Sequence, residues 1–243
     1  MEIYWLEQTA IDVPLANNWL GDRELDRLSD MRILKRRTDW RLGRWAAKNA
    51  VAIVWGFGND SASLARIEIL ATASGAPAVF VDDVPVTTTI SLTHREGLAA
   101  CALALDRIAL GCDLEAIEPH SAAFIRDYFT ETEQEFIRDG DSGLLATLLW
   151  SAKESALKAL RVGLTADTRS VVISIDNNRS LTEAKAGVRL WHSLRVQDPC
   201  QRTLRGFWQA DEKFVRTLVA DPPVGEIVNM SSLLQAAVVA GSD

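Results

Sequence analysis

The chain has 243 residues, 48% of them apolar and 24% charged, the balance of one large or two small closely joined globular domains and not of a disordered or fibrous chain. Its 26 Lys and Arg against 33 Asp and Glu give a formal net charge of −7, the wrong sign for a mainly electrostatic nucleic-acid binder. Cys101, Cys112 and Cys200 offer neither a disulfide framework nor metal-ligand spacing. The N-terminus lacks a secretory pattern and no apolar stretch approaches the ~20 residues that span a bilayer, so a cytoplasmic protein binding neither nucleic acid nor membrane is expected.

Ile3 to Leu6 predicts a short strand. From Leu20 to Leu34, apolar residues at Leu25, Leu28, Met31 and Leu34 recur every three positions and predict one helix face. The basic run Lys35-Arg36-Arg37 leads into a second predicted helix, Thr38 to Trp55, where Arg41, Arg44 and Lys48 alternate with apolar positions. Five cations and one acid, Asp39, lie within Lys35 to Arg44, which suits either an ordinary charged helix face or polyanionic phosphate.

Ile67 to Leu70, Val79 to Val86, Thr88 to Leu92 and Leu110 to Glu115 read as strands, with a turn at 73–77, while Leu98 to Leu105 is apolar without a decisive period. Ser121 to Phe129, Glu131 to Arg138 and Leu144 to Leu160 read as helices. Val171 to Ile175, Gly187 to Leu190, Arg205 to Gln209 and Lys213 to Val219 follow as strands of a second sheet, and Ser231 to Val239 as a terminal helix. Helices early and strands late in each half predict an α+β class with two similar lobes, residues 1–106 and 107–220, and a C-terminal extension at 221–243. Neither a P-loop nor a dinucleotide glycine fingerprint is present.

Two acidic features stand out. Asp113 and Glu115 are one residue apart, so a strand projects both carboxylates from one face. In Trp150-Ser151-Ala152-Lys153-Glu154-Ser155-Ala156-Leu157-Lys158, i,i+4 spacing puts Trp150, Glu154 and Lys158 along one helix face. Each feature alone is compatible with surface charge. If Glu154 approaches the strand pair, three carboxylates repel one another and a hard divalent cation such as Mg²⁺ relieves the cost.

These segments resemble the 4′-phosphopantetheinyl transferase superfamily, in particular its single-chain surfactin-synthetase-activating type. Gly111-Cys112-Asp113-Leu114-Glu115 is similar to the family's Gly-x-Asp-x-Glu pattern and Trp150 to Lys158 to its Trp-x-x-Lys-Glu-x-x-x-Lys pattern. Ser91-Leu92-Thr93-His94, the basic helix around Arg36 to Arg44 and Gly163-Leu164 resemble flanking elements, so the likeness covers nearly all of residues 1–220. The resemblance implies a pseudodimer of two similar lobes with a Mg–CoA cleft between them, working as a monomer. Its reaction moves the 4′-phosphopantetheine arm of coenzyme A to a serine of an acyl- or peptidyl-carrier protein and releases adenosine 3′,5′-bisphosphate.

On the same footing, Asp113, Glu115 and Glu154 are the implied Mg²⁺ ligands, and Glu154 is the implied base for the serine proton, with Asp113 and Lys158 beside it in the catalytic group. His94, Lys153 and Lys158 are the implied partners of the CoA diphosphate; Lys158 shares the Glu154 face, whereas Lys153 lies about 100° around the helix. Arg36, Arg37 and Arg44 are equal candidates for the 3′-phosphate, and Arg41 and Lys48 extend the basic face. Tyr128, Phe129 and Phe136 are candidates for an apolar carrier-docking surface. The alternative function is a CoA- or carrier-binding protein with little turnover, suggested by Ala76 where relatives commonly place a lysine.

Overall fold

The computed structural model describes residues 1–163, 166–175, 181 and 190–231. Two compact units emerge: Met1–Arg107, joined by the chain from Gly225 onward, and Ile108–Val224. The first unit runs β1 (Glu2–Thr9), α1 (Asp22–Ser29), α2 (Leu34–Trp55), α3 (Ser61–Ala65), β2 (Ile67–Ala71), β3 (Pro77–Val81), β4 (Val84–Arg95) and β5 (Leu98–Ala104). The second runs β6 (Ala109–Ala116), α4 (Ala122–Tyr128), α5 (Glu131–Arg138), α6 (Ser142–Leu160), β7 (Val172–Ile175), β8 (His192–Gln197), β9 (Thr203–Ala210) and β10 (Phe214–Asp221). A last strand, β11 (Glu226–Asn229), lies parallel to β1, and Met230 beyond it is buried in the first unit's core.

The strand orders are β11-β1-β5-β4-β3-β2 and β6-β10-β9-β8-β7, antiparallel except at β11. Leaving β11 aside, each sheet sets its first strand beside its last and then steps back through the other three. The α+β class and the pair of like units therefore agree with the distribution of helices and strands along the sequence.

One long helix covers each sheet. Leu42, Ala46 and Ala50 of α2 pack with Leu6, Cys101 and Leu103; Leu145, Leu149, Ala152 and Ala156 of α6 pack with Leu194, Trp208, Val215 and Val219. Each buried leucine contributes about 1.5–3 kcal/mol, and the alanines let helix and sheet main chains approach. Gly111 marks one such close approach: a Cβ there would overlap the Ser155 carbonyl oxygen and stand 2.6 Å from the Ala159 nitrogen.

The same buried ion pair is built twice. Glu24, in the first turn of α1, accepts the Gly21 N–H (3.1 Å) and the Ile69 N–H of β2 (3.0 Å) and pairs with Lys48, whose ammonium also donates to the carbonyls of Trp19 (2.8 Å) and Leu64 (3.3 Å). Glu133, in the first turn of α5, accepts the Thr130 N–H (2.9 Å) and the Ile173 N–H of β7 (2.9 Å) and pairs with Lys153 (2.9 Å), which donates to the carbonyls of Thr168 (2.9 Å) and Val171 (2.5 Å). Each pair ties the capping turn of a short helix to the long helix and to an edge strand of its sheet, β2 in the first unit and β7 in the second. Burial pushes both lysine pKa values down, against the raising effect of their glutamates.

Several elements differ from expectation for identifiable reasons. The helix expected from Leu20 to Leu34 is confined to α1, because only Leu28 and Met31 of its four apolar positions reach the core and Leu34 instead begins α2. The strand expected from Val79 to Val86 is cut by a hairpin turn at Asp82 and Asp83, whose φ values of 49° and 65° suit short polar residues that tolerate left-handed backbone. Leu98 to Leu105 shows no alternation because β5 is an interior strand buried on both faces. The expected strand at 187–190, apart from Leu190, and the terminal helix beyond Ser231 lie outside the described residues, as does Leu164 of the Gly-Leu pair. No helix among the described residues is long and apolar enough to cross a membrane.

Candidate active site

β6 pairs with β10, and its pleat turns Asp113 and Glu115 to one face while Cys112 and Leu114 are buried on the other. α6 packs over this strand, and Glu154 joins the pair. Asp113, Glu115 and Glu154 each offer one carboxylate oxygen, all within 4.8 Å of one another, with Asp113 buried and the two glutamates half-buried. Three such oxygens on two rigid elements are a hard, anionic donor set and a candidate metal-ligand cluster.

Lys158, one turn after Glu154, balances part of this charge. Its ammonium donates to Asp113 Oδ1 (2.7 Å) and to the Cys112 carbonyl (2.9 Å) and lies 4.0 Å from Glu154 Oε2. Desolvation acts against the ammonium, but Asp113, followed by Cys112 and Glu154, outweighs it and raises the pKa above the ordinary lysine value. Three carboxylates facing one ammonium still leave an excess of negative charge, which a divalent cation would neutralise.

Lys153 does not join this group. Its side chain is fully buried, and the Glu133 carboxylate and two carbonyls take up its ammonium, leaving no N–H for a phosphate. Trp150 shares the face of Glu154 but packs edge-on to Phe124 and Tyr128, both at 5.1 Å between ring centroids, and His120 stacks on Phe124 at 4.6 Å. Of the three residues expected to offer an apolar docking surface, Tyr128 is exposed, Phe136 half-buried and Phe129 part of the core beneath Lys153, 5.7 Å from its ring.

In the first unit, α2 and the end of β4 enclose a pocket of about 460 Å³. Lys35, Arg36, Arg44 and His94 bring the cationic and imidazole groups, Asp39 and Thr93 further polar groups, and Ile33, Trp40 and Leu92 its apolar wall beside Gly43. The Arg44 guanidinium lies 4.7 Å over the Trp40 ring and 3.9 Å from Glu24, and burial lowers its pKa despite Glu24. Arg37 lies outside the pocket lining. Arg41 is turned to the 14–16 loop, where it donates to the carbonyls of Pro14, Leu15 and Ala16, and Lys48 is held by Glu24; neither extends the basic face. The sequence carried a signal for the structural lysines: Trp45-x-x-Lys48 and Trp150-x-x-Lys153 share one spacing, followed by Asn49 in the first case and Glu154 in the second.

Residues 109–208, from β6 to β9, match the family model described as the 4′-phosphopantetheinyl transferase superfamily. A holo-[acyl-carrier-protein] synthase of Streptococcus sanguinis (strain SK36) is 33% identical over 91 residues, 37% of this chain and 75% of that protein. Another of the same name from Enterococcus faecalis (strain ATCC 700802 / V583) is 33% identical over 72 residues, 30% of this chain and 62% of that protein.

Proposed function

Because the chain belongs to the 4′-phosphopantetheinyl transferase superfamily, we propose that it transfers the 4′-phosphopantetheine arm of coenzyme A to a serine of an acyl- or peptidyl-carrier protein, releasing adenosine 3′,5′-bisphosphate. The observation that carries this reading is the convergence of Asp113, Glu115 and Glu154 within the segment that matches the family. In the transfer, the serine oxygen bonds to the phosphorus bearing the pantetheine arm. The bond from that phosphorus to the bridging oxygen breaks, the oxygen and the electron pair leaving with the adenosine phosphate, and the serine proton needs an acceptor.

The oxygen-only donor set fits a hard cation, so Asp113, Glu115 and Glu154 would hold Mg²⁺, which when bound neutralises the diphosphate and the charge growing on the leaving phosphate. Glu154, half-buried beside Asp113 and Glu115, takes the serine proton. Lys158 has three N–H groups, of which Asp113 and the Cys112 carbonyl use two; the third serves a phosphate oxygen. In the first unit, Arg36, Arg44 and His94 bind CoA phosphate in the pocket, with Lys35 as an added cation.

We read the chain as the single-chain type, acting as a monomer. Its two units repeat one strand order, and the 91 matched residues that are 75% of the S. sanguinis protein are 37% of this chain, so that relative is about half as long. The test is incubation with CoA, Mg²⁺ and a panel of apo-carriers, each then weighed intact. A phosphopantetheine-sized gain abolished by chelation is expected; an unmodified panel would overturn transfer in favour of CoA or carrier binding.

A further inference from the structure

Three hydroxyls beneath the acidic cluster have no part in the reaction described above. Ser151 and Ser155 lie one turn apart on α6, and Thr217 lies on β10; none is exposed. Thr217 Oγ1 is 2.8 Å from Ser151 Oγ and 2.7 Å from Ser155 Oγ, while Ser155 Oγ also reaches the Thr217 carbonyl at 3.2 Å. One assignment uses every proton once: Ser151 donates to Thr217 Oγ1, which donates to Ser155 Oγ, which donates to the Thr217 carbonyl.

The place of this network in the register gives it meaning. Thr217 is the residue of β10 directly opposite Asp113, so both side chains stand on the sheet face that α6 covers. Glu154 immediately precedes Ser155, and Lys158, which holds Asp113, follows it by three. A one-residue slip of α6 moves the helix about 1.5 Å and turns it by about 100°, which breaks all three hydroxyl contacts and carries Glu154 away from Asp113 and Glu115. Leu or Ala would bury these positions at lower desolvation cost, but would leave an apolar contact that permits sliding; buried hydroxyls are tolerable only when paired, and pairing specifies one register.

We propose that Ser151, Ser155 and Thr217 are positioning residues that lock α6 on β10 in the register that brings Glu154 to Asp113 and Glu115. This rests on the reading of the three acids as a divalent-cation site. The test is titration of the full chain with Mn²⁺, with free Mn²⁺ followed by electron paramagnetic resonance and folding by circular dichroism. Thr217→Val keeps the side-chain shape and removes the hydroxyl; Mn²⁺ binding weakens about tenfold, the low end for loss of a partner that orients metal ligands. Thr217→Ser restores the hydroxyl and returns affinity to within about twofold of wild type, which a loss of bulk stability alone would not do. Ser155→Ala, on a better helix former, carries the same test if Thr217→Val fails to fold.

Wild-type Mn²⁺ affinity in Thr217→Val or, where that variant is unfolded, in Ser155→Ala overturns the proposal, as does a Thr217→Ser variant no tighter than Thr217→Val. If wild type binds no Mn²⁺, or Asp113→Ala binds it as wild type does, the cation site itself fails and the positioning role falls with it. Tight binding by wild type and its loss in Asp113→Ala, with Thr217→Val unaffected, removes the positioning role alone.

Discussion

Gly111→Ala tests how the helix and the acidic strand are brought together. The added Cβ would stand 2.6 Å from the Ala159 nitrogen and closer still to the Ser155 carbonyl oxygen, where ordinary contact begins at 3.4 Å. Both neighbours are main-chain atoms of α6, so no side chain can swing aside, and helix or strand must move on the order of 1 Å. Overpacking of this kind costs about 1–3 kcal/mol, and the rigidity of both partners puts this case at the upper end. At about 2–4 °C per kcal/mol for a chain of this size, the melting temperature should fall by roughly 6–12 °C. Calorimetry measures that fall, and Mn²⁺ titration reads the accompanying displacement of Glu154 from Asp113. A melting temperature within about 2 °C of wild type, with unchanged Mn²⁺ affinity, would refute the packing argument.

Lys153→Met strands the Glu133 carboxylate in the core and should cost about 3–5 kcal/mol in urea unfolding, whereas adding Glu133→Gln should recover part of the loss; strictly additive losses would contradict the pair's role. Arg44→Ala should weaken CoA binding roughly 10-fold or more in calorimetry, the worth of a charged hydrogen bond, while Arg37→Ala, outside the pocket lining, should stay near wild type; equal losses would move the phosphate site. The Asp198 carboxyl is raised by burial but lowered more by the Arg202 N–H, the Arg202 guanidinium and the Cys200 N–H, so its folded pKa lies below the ordinary value. Its stabilisation is complete above an unfolded pKa of about 3.9 and is lost as pH falls through the folded value. Asp198→Asn should therefore be less stable than wild type at pH 7, with the gap closing in acid; a pH-independent gap would contradict this.

Much of the second unit is legible because its local signals agree. Thr130 and Glu133 form a capping box, and the helix they open, Glu131–Arg138, has the bounds its pattern predicts. Alternation in β6 and the i,i+4 relation in α6 already put Asp113 with Glu115 and Glu154 with Lys158; their meeting depends on packing at Gly111, which periodicity does not report. Less legible are residues whose chemistry is spent on tertiary contacts. Lys48 and Lys153 look like available cations, yet the glutamates that hold them are 24 and 20 residues away in sequence. β8 falls where the sequence predicts no element, and β11 gains its place by pairing with β1, a contact across almost the whole chain. Ser151 and Ser155 read as small helix residues until Thr217 is set opposite them.

Asp113 is the residue on which the account turns, since it supplies a carboxylate to the cation cluster and accepts from Lys158. The direct measurement is the amount of phosphopantetheinyl carrier and of released adenosine 3′,5′-bisphosphate formed by wild type and Asp113→Ala across a Mg²⁺ series, using a carrier that wild type modifies and with folding checked by circular dichroism. Equal amounts of the two products from wild type, and a folded Asp113→Ala that forms neither at Mg²⁺ levels saturating for wild type, are predicted. A folded Asp113→Ala that matches wild-type transfer at limiting Mg²⁺ would contradict the assignment of this cluster as the reaction centre.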